Sequence, residues 1–283
     1  MSTNFNFLEL QKDKAHDVLS APIMSKAITF PCKVHVLDIV DSTNAYARRL
    51  FDYSLPNLIV SNQQTKGKGR LGRSFYSPSS KGIYMSIVFE PDFGIEKAML
   101  ITPLAAVAVC RALKEVTGAE GKIKWVNDIF LGEKKVCGIL TEADNNPQTG
   151  KMEKIIVGIG INCFQQEFPE DLKDKASFIV NPTMEYSRNE LIAAVTNNFF
   201  DLLANFDKKA LLEEYKSLLM ILGKDVVVYG TSPDERPENG GKGSLCHTID
   251  IDENCGLVVE HLDGPICGKR ETLTSGEVTI RNK

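Results

Sequence analysis

Lys124-Trp-Val-Asn-Asp-Ile-Phe-Leu-Gly-Glu-Lys-Lys-Val-Cys-Gly-Ile-Leu140 reads as a run of short strands folded back on one another. Strand segments are expected around Ile123–Val126, Ile129–Leu131 and Lys135–Glu142, with Gly132 and Glu133 making a tight turn between the last two. Asn127 and Asp128 fall at strand ends. Lys135 opens an apolar strand beside Val136, Ile139 and Leu140, where an ammonium can be partly desolvated and held in one pose. Such a point charge suits a phosphate. The competing reading is a strand lysine in solvent. Trp125, the only tryptophan, reads as a core aromatic.

Outward from this stretch the pattern alternates between strands and amphipathic helices. Upstream, Lys33–Val40, Asn57–Ser61 and Gly82–Glu90 read as strands. Residues 41–52 read as a capped helix and Glu96–Val116 as a mostly buried one. Downstream, Ile155–Asn162 is an apolar strand. Leu191, Ile192, Val195, Phe199, Leu202 and Leu203 then share one helical face, as do Leu211, Leu212, Tyr215, Leu218 and Leu219. Gly223 ends that helix, and residues 224–283 hold only short β-like runs: Val226–Tyr229, Ser244–Ile251, Leu257–Glu260 and Glu277–Arg281. These predict a small β-barrel of about 60 residues. The first 33 residues read as polar and irregular, broken by Pro22 and Pro31.

Composition excludes several classes. The 283 residues are 43% hydrophobic and 25% charged with net charge −4, the profile of a globular chain rather than a disordered one. Size scaling gives roughly 12,000 Å² of folded surface against roughly 45,000 Å² unfolded, enough for a sizeable core. The longest uncharged apolar run, 98–110, is too short to span a bilayer, and the start of the chain lacks a signal-peptide pattern. Neither membrane nor export is therefore expected. Seven cysteines without CxxC spacing predict reduced thiols and a cytoplasmic location. The acidic balance argues against a nucleic-acid partner. Cys246, His247, Cys255, His261 and Cys267 match no zinc-finger spacing, so no metal site is expected there.

The charge average hides one local excess. In Gln64-Thr-Lys-Gly-Lys-Gly-Arg-Leu-Gly-Arg73, glycines 67, 69 and 72 alternate with Lys66, Lys68, Arg70 and Arg73. Glycines let backbone N–H groups approach a ligand, and the cations suit phosphate or carboxylate oxygens. The loop fits neither a P-loop nor a dinucleotide fingerprint. A solvated basic loop is the plain alternative. In Val157-Gly-Ile-Gly-Ile-Asn162, alternate glycines bare one strand face, either to a flat ligand or to tight packing. Asp41-Ser-Thr-Asn44 offers more polar groups than one helix cap needs.

Together these segments resemble the biotin protein ligases. Asp41–Asn44 resembles the family's DSTN motif, Gln64–Arg73 its QTAGRGRRGR loop, and Lys124–Asp128 its KWPND. Lys135–Leu140 is similar to KxxGIL, Val157–Asn162 to GIGIN, and Ser275–Arg281 to the terminal strand of the small capping domain. The matches run in order from Asp41 to Arg281. Lys68 stands where arginine is usual, Lys66 and Leu71 depart from the loop pattern, and Val126 replaces a proline. Lys68 keeps charge but loses bidentate geometry, predicting weaker loop affinity.

The resemblance implies an α+β fold: a mixed β-sheet flanked by helices, of the class II synthetase or biotinyl/lipoyl-ligase type, with a small C-terminal SH3-like β-barrel. It divides the chain into an N-terminal extension (1–33), a catalytic biotin- and ATP-binding domain (34–222) and the SH3-like domain (223–283). With about 33 residues before the core, no DNA-binding domain is expected. The implied activity joins biotin to ATP as biotinyl-5′-AMP, with Mg²⁺, and passes the biotinyl group to a lysine of a carboxylase's biotin carrier domain. The resemblance is also compatible with a homodimer.

By the same resemblance, Lys135, Arg70 and Lys68 are catalytic. Biotin falls to Ser42, Thr43, Asn44, Gln64, Gly67, Lys68, Arg70, Gly138 and Ile139. ATP and the adenylate fall to Arg70, Arg73, Lys135, Asn127, Asp128 and Asn162. The basic loop is expected to be disordered without ligand and to fold over it, shielding the adenylate. A lipoate–protein ligase and a non-catalytic biotin-binding module are the alternatives.

Overall fold

Alternating apolar residues make Lys33–Val40 (β1) and Asn57–Gln64 (β2) strands, and their parallel pairing requires a crossover. The short helix Thr43–Arg48 (α2) supplies it. Before β1 lies helix Ala21–Ala27 (α1). The remaining elements follow as β3 (Gly82–Phe89), α3 (Ile95–Ala98), α4 (Ile101–Thr117), β4 (Lys122–Lys124), β5 (Asp128–Leu131), β6 (Lys134–Asn145), β7 (Met152–Asn162), α5 (Arg188–Ala204) and α6 (Lys208–Leu218). The C-terminal strands are β8 (Asp225–Tyr229), β9 (Ser244–Ile251), β10 (Leu257–His261), β11 (Arg270–Leu273) and β12 (Glu277–Ile280). The structure, a computed structural model, describes residues 17–50, 52–146, 148–179, 185–235 and 237–280.

The first seven strands form one mixed sheet, ordered β1-β2-β3-β7-β6-β5-β4 and antiparallel except for β1–β2. Its two faces differ. Odd residues of β3 and β7, such as Ile83, Met85, Ile87, Val157, Ile159 and Ile161, join the main core with α4 and α5. Even residues Val88 and Ile156 pack instead with Ile59 and Ala47 under α2. Further along that second face Ser86 and three glycines interrupt the larger side chains. Ser86 lies beside Gly158 and Leu140, and Tyr84 beside Gly160 and Gly138, in two rows across β3, β7 and β6. A sheet face so interrupted, next to the start of α2, is where a cleft forms.

The other five strands make an antiparallel sheet, β11-β10-β9-β8-β12. Its inward residues Val226, Cys246, Leu257, Val259 and Val278 belong to the same buried cluster as the first sheet. The Trp125 indole N–H donates to the Cys255 carbonyl at 2.7 Å, tying one sheet to the other. The segment after α6 covers the β4 edge, Met220 N–H donating to the Ile123 carbonyl at 2.9 Å.

Four local expectations need correction. Residues 1–33 do contain a regular element: α1 starts with Pro22 in its first turn, where a missing N–H costs nothing. Residues 1–16 of that segment lie outside the described residues. The helix expected over 41–52 closes at Arg48. The helix expected over 96–116 is two, since Met99 and Leu100 separate α3 from α4. Strand β11 was not expected at all, because Arg270-Glu-Thr-Leu273 lies almost entirely exposed and carries no apolar alternation. In addition, α6 ends at Leu218, and Gly223 takes a left-handed turn leading into β8.

Candidate functional site

On this glycine-bearing face the structure encloses a cleft of about 460 Å³ including its mouth. One side is the start of α2, where Ser42, Thr43 and Asn44 are all buried. Ser42 caps the helix by position but its side chain makes no capping bond. Gln64, at the end of β2, faces it: its amide oxygen accepts from the Thr43 N–H at 2.8 Å and the Thr43 hydroxyl at 3.2 Å. Its amide nitrogen donates to the Ser77 hydroxyl at 2.9 Å, and Ser77 donates to the Phe75 carbonyl. The Gln64 amide is therefore fixed in one orientation, with a second N–H to offer a ligand.

The floor is the sheet itself at Met85, Gly138, Ile139, Gly158, Ile159 and Gly160, and Phe75 and Leu140 add apolar side chains on the cleft's face. The bared glycine faces are not left open. A Cβ on Gly158 would overlap the Asn44 amide, one on Gly160 would lie 2.5 Å from the Phe75 ring, and one on Gly138 would lie 3.1 Å from the Lys135 ammonium. Of the two readings of these glycines, close packing is what the structure shows, and the packed groups Asn44, Phe75 and Lys135 themselves line the cleft.

The mouth is cationic. Residues 67–75 form an ordered hairpin rather than a shapeless loop: Phe75 N–H donates to Gly67 O at 2.9 Å and Gly69 N–H to Arg73 O at 2.7 Å, around a turn with Leu71 at φ 57° and Gly72 at φ 77°. Gly67 is required there because a Cβ would run into the Phe75 carbonyl. The hairpin delivers Lys68 and Arg70 to the cleft. Arg70 Nη1 donates to Asn127 Oδ1 at 3.0 Å. Asn127 Nδ2 donates to Asp128 Oδ1 at 3.1 Å and to Ile139 O at 2.9 Å, and Lys135 Nζ pairs with Asp128 Oδ1 at 2.7 Å. Two cations from opposite sides are thus joined through one amide and one carboxylate. The Lys135 side chain is 32% exposed, and so half-buried rather than solvated. Its backbone is clamped as well, Lys135 N–H donating to Lys175 O and Ser177 N–H to Lys135 O.

Ten of the residues singled out from sequence line this cleft together: Ser42, Thr43, Asn44, Gln64, Lys68, Arg70, Asn127, Lys135, Gly138 and Ile139. Four do not. Gly67 supports the hairpin, Asp128 lies behind Lys135, Arg73 is exposed on the hairpin's far arm, and Asn162 donates to Ser177 O at 2.9 Å. Sequence reasoning missed Phe75, Met85, Ser77 and Ser86. Phe75 follows the basic loop by two residues and pairs with Gly67 across the hairpin, a pairing that the sequence does not mark; the serines carry no pattern of their own.

A mixed sheet flanked by helices on both faces, with a cationic hairpin closing on a polar helix start, defines the biotinyl/lipoyl-ligase type of catalytic fold. Residues 36–162 match the biotin/lipoate A/B protein ligase family. It is similar to the bifunctional ligase/repressor BirA of Bacillus subtilis (35% identical over 183 residues, 60% of this chain and 56% of that one). It is also similar to the biotin–[acetyl-CoA-carboxylase] ligase of Paracoccus denitrificans (33% over 129 residues, 43% and 51%). The chain spans about half the length of these curated relatives. Among solved structures it resembles the biotin protein ligase from Aquifex aeolicus in complex with biotin and ATP, at TM-score 0.70 and 28% identity over 89% of this chain and 99% of that one.

Proposed function

We propose that the chain is an ATP-dependent biotin–protein ligase: it condenses biotin with ATP to biotinyl-5′-AMP and transfers the biotinyl group to a lysine of a biotin carrier domain. The observation that carries this reading is the cleft's division into a hydrogen-bonding end (Ser42, Thr43, Gln64), an apolar side (Phe75, Leu140) and a cationic mouth (Lys68, Arg70, Lys135). That sequence of surfaces matches a polar ring, an aliphatic tail and a carboxylate meeting a phosphate. It suits a lipoate head less well, since a dithiolane leaves the polar end unpaired.

In the first step a biotin carboxylate oxygen bonds to the α-phosphorus while the bond to the β-phosphate oxygen breaks, releasing pyrophosphate. Two anions must approach, so Lys135, Arg70 and Lys68 offset their repulsion and the charge that grows between them. The Asn127 amide and the Asp128 carboxylate hold Arg70 and Lys135 in place before substrate arrives, which is preorganisation. Arg73, exposed on the same hairpin, is assigned to the departing phosphates. In the second step the carrier lysine's neutral amine attacks the acyl carbon and AMP leaves.

Asp128 is the carboxylate paired with Lys135, and among the described residues no three acidic, cysteine or histidine side chains gather to hold a metal. The donor set thus fits Mg²⁺ carried by the nucleotide phosphates rather than by a protein cage. The ion would neutralise phosphate charge there. Residues 34–222 are read as the catalytic unit and 223–283 as its SH3-like cap. All seven cysteines are free and no helix among the described residues is long and apolar enough to cross a membrane, which supports a cytoplasmic location.

The test is incubation with biotin, MgATP and a carrier domain. A mass gain of one biotinyl group on the carrier lysine is expected. Biotin binding without mass gain would favour a non-catalytic module, and a gain with lipoate but not biotin would favour a lipoate ligase.

A further inference from the structure

The hydrogen-bond polarity of Thr43, at the polar end of the cleft, is set by a residue outside the cleft. The Asn44 side-chain nitrogen lies 2.8 Å from Glu142 Oε2 and 3.4 Å from the Leu140 carbonyl. A carboxylate and a carbonyl can only accept, so that end of the amide must be NH₂. Its oxygen, at the other end, meets the buried Ser86 hydroxyl at 2.6 Å. An amide oxygen cannot donate, so Ser86 spends its single proton on Asn44. Ser86 can then only accept from the Thr43 hydroxyl, 2.8 Å away. The Thr43 proton has one other partner, the Gln64 oxygen, which also only accepts. Whichever it chooses, Thr43 has no proton left for a ligand and presents lone pairs alone.

Glu142 is itself held. Arg48 donates to Glu142 Oε1 at 3.0 Å and to both Asp144 oxygens, while Lys154 lies 3.8 Å from Asp144. Gly158 leaves the room in which the Asn44 oxygen sits. Of these groups Thr43, Asn44, Gln64, Leu140 and Gly158 line the cleft, whereas Ser86, Glu142, Arg48, Asp144 and Lys154 do not.

We propose that Glu142 is a positioning and specificity-determining residue: through Asn44 and Ser86 it commits the Thr43 hydroxyl at the polar end of the cleft to accepting a hydrogen bond, and so favours acids whose head carries an N–H group. The inference rests on the reading of this cleft as the acid-binding site. A buried acceptor left unpaired is costly, so an acid with no N–H is rejected. With glutamine at 142 the obligatory acceptor is lost, the Asn44 amide can turn over, and the direction of the chain is no longer fixed.

The experiment compares biotin with octanoate, a carboxylic acid without N–H groups, by acid-dependent pyrophosphate release in the wild type and in Glu142→Gln, Ser86→Ala and Asp144→Asn. Glu142→Gln and Ser86→Ala should raise the KM for biotin about tenfold, leave the KM for ATP unchanged, and cut the biotin-over-octanoate preference by the same factor. Asp144→Asn, which disturbs the ion pairs but not Asn44, should keep the preference. If Glu142→Gln lowers activity with both acids equally, its role is structural and the proposal falls, while the ligase reading stands. A wild type with no preference for biotin overturns both. Should Glu142→Gln not fold, Ser86→Ala carries the same comparison, since it removes one hydroxyl from the same chain.

Discussion

Lys135 is the residue whose sequence setting and structural setting agree most closely. Flanking apolar residues promised partial desolvation. The structure adds what no spacing could tell, that Asp128 grips its ammonium and the segment 175–177 its backbone. Lys135→Ala is expected to lower adenylate formation by at least 100-fold, about 2.7 kcal/mol or more of transition-state stabilisation. Biotin affinity should change only severalfold, read by pyrophosphate release and calorimetry. Gly158 makes the opposite case. Its motif left the face either to a ligand or to tight packing, and the structure gives it to Asn44. Gly158→Ala should displace that amide and weaken biotin binding by tenfold or more, with an overpacking cost of about 1–3 kcal/mol in denaturant titrations.

At the level of elements, the N-terminal segment shows how side chains can build structure that periodicity does not announce. Helix α5 holds it by its backbone. Asn189 accepts from Ser20 N–H and donates to Val18 O, Asn197 accepts from Thr29 N–H and donates to Ala27 O, and Arg188, 1% exposed, donates to Asp17 and to Gly82 O. Replacing Arg188 with Met would leave the Asp17 carboxylate without its ion pair. The expected loss is about 3–5 kcal/mol of unfolding free energy in urea titrations, with α1 protons exchanging faster. A polar residue on an α5 face reads from sequence as solvated, which is why α1 stayed hidden. The long strands and α4–α6, by contrast, were legible because one face buries a continuous apolar stripe. Exposed β11, whose ladder is mostly backbone bonding, left no such trace. The site was legible in its charged and glycine positions and not in Phe75 or Ser86, whose roles exist only after β3 and the hairpin are brought together.

Across the whole molecule the cysteines report burial. Burial pushes the Cys110, Cys163 and Cys255 thiols up to about 12, Cys32 to about 11, and Cys137 well above its ordinary range. A thiol raised in the folded state stabilises fully below its unfolded pKa. That contribution is lost as pH rises from about 9 toward 12. Stability is therefore expected to fall progressively above pH 9 in denaturant titrations, with less loss in a Cys163→Ala variant. In the native state at pH 8, a thiol reagent should label exposed Cys267 rapidly and the five buried cysteines only on unfolding.

One bond described earlier also gives the molecule a built-in optical reporter. Trp125 is the sole indole, 4% exposed, and its N–H is spent on the Cys255 carbonyl of the second sheet. Two residues further on, Asn127 touches Arg70 at the cleft mouth. A single fluorophore thus stands between the junction of the two sheets and the place where substrates meet. Its emission should be blue-shifted in the folded protein, move to the red when the sheets part, and respond in intensity as biotin and MgATP fill the cleft.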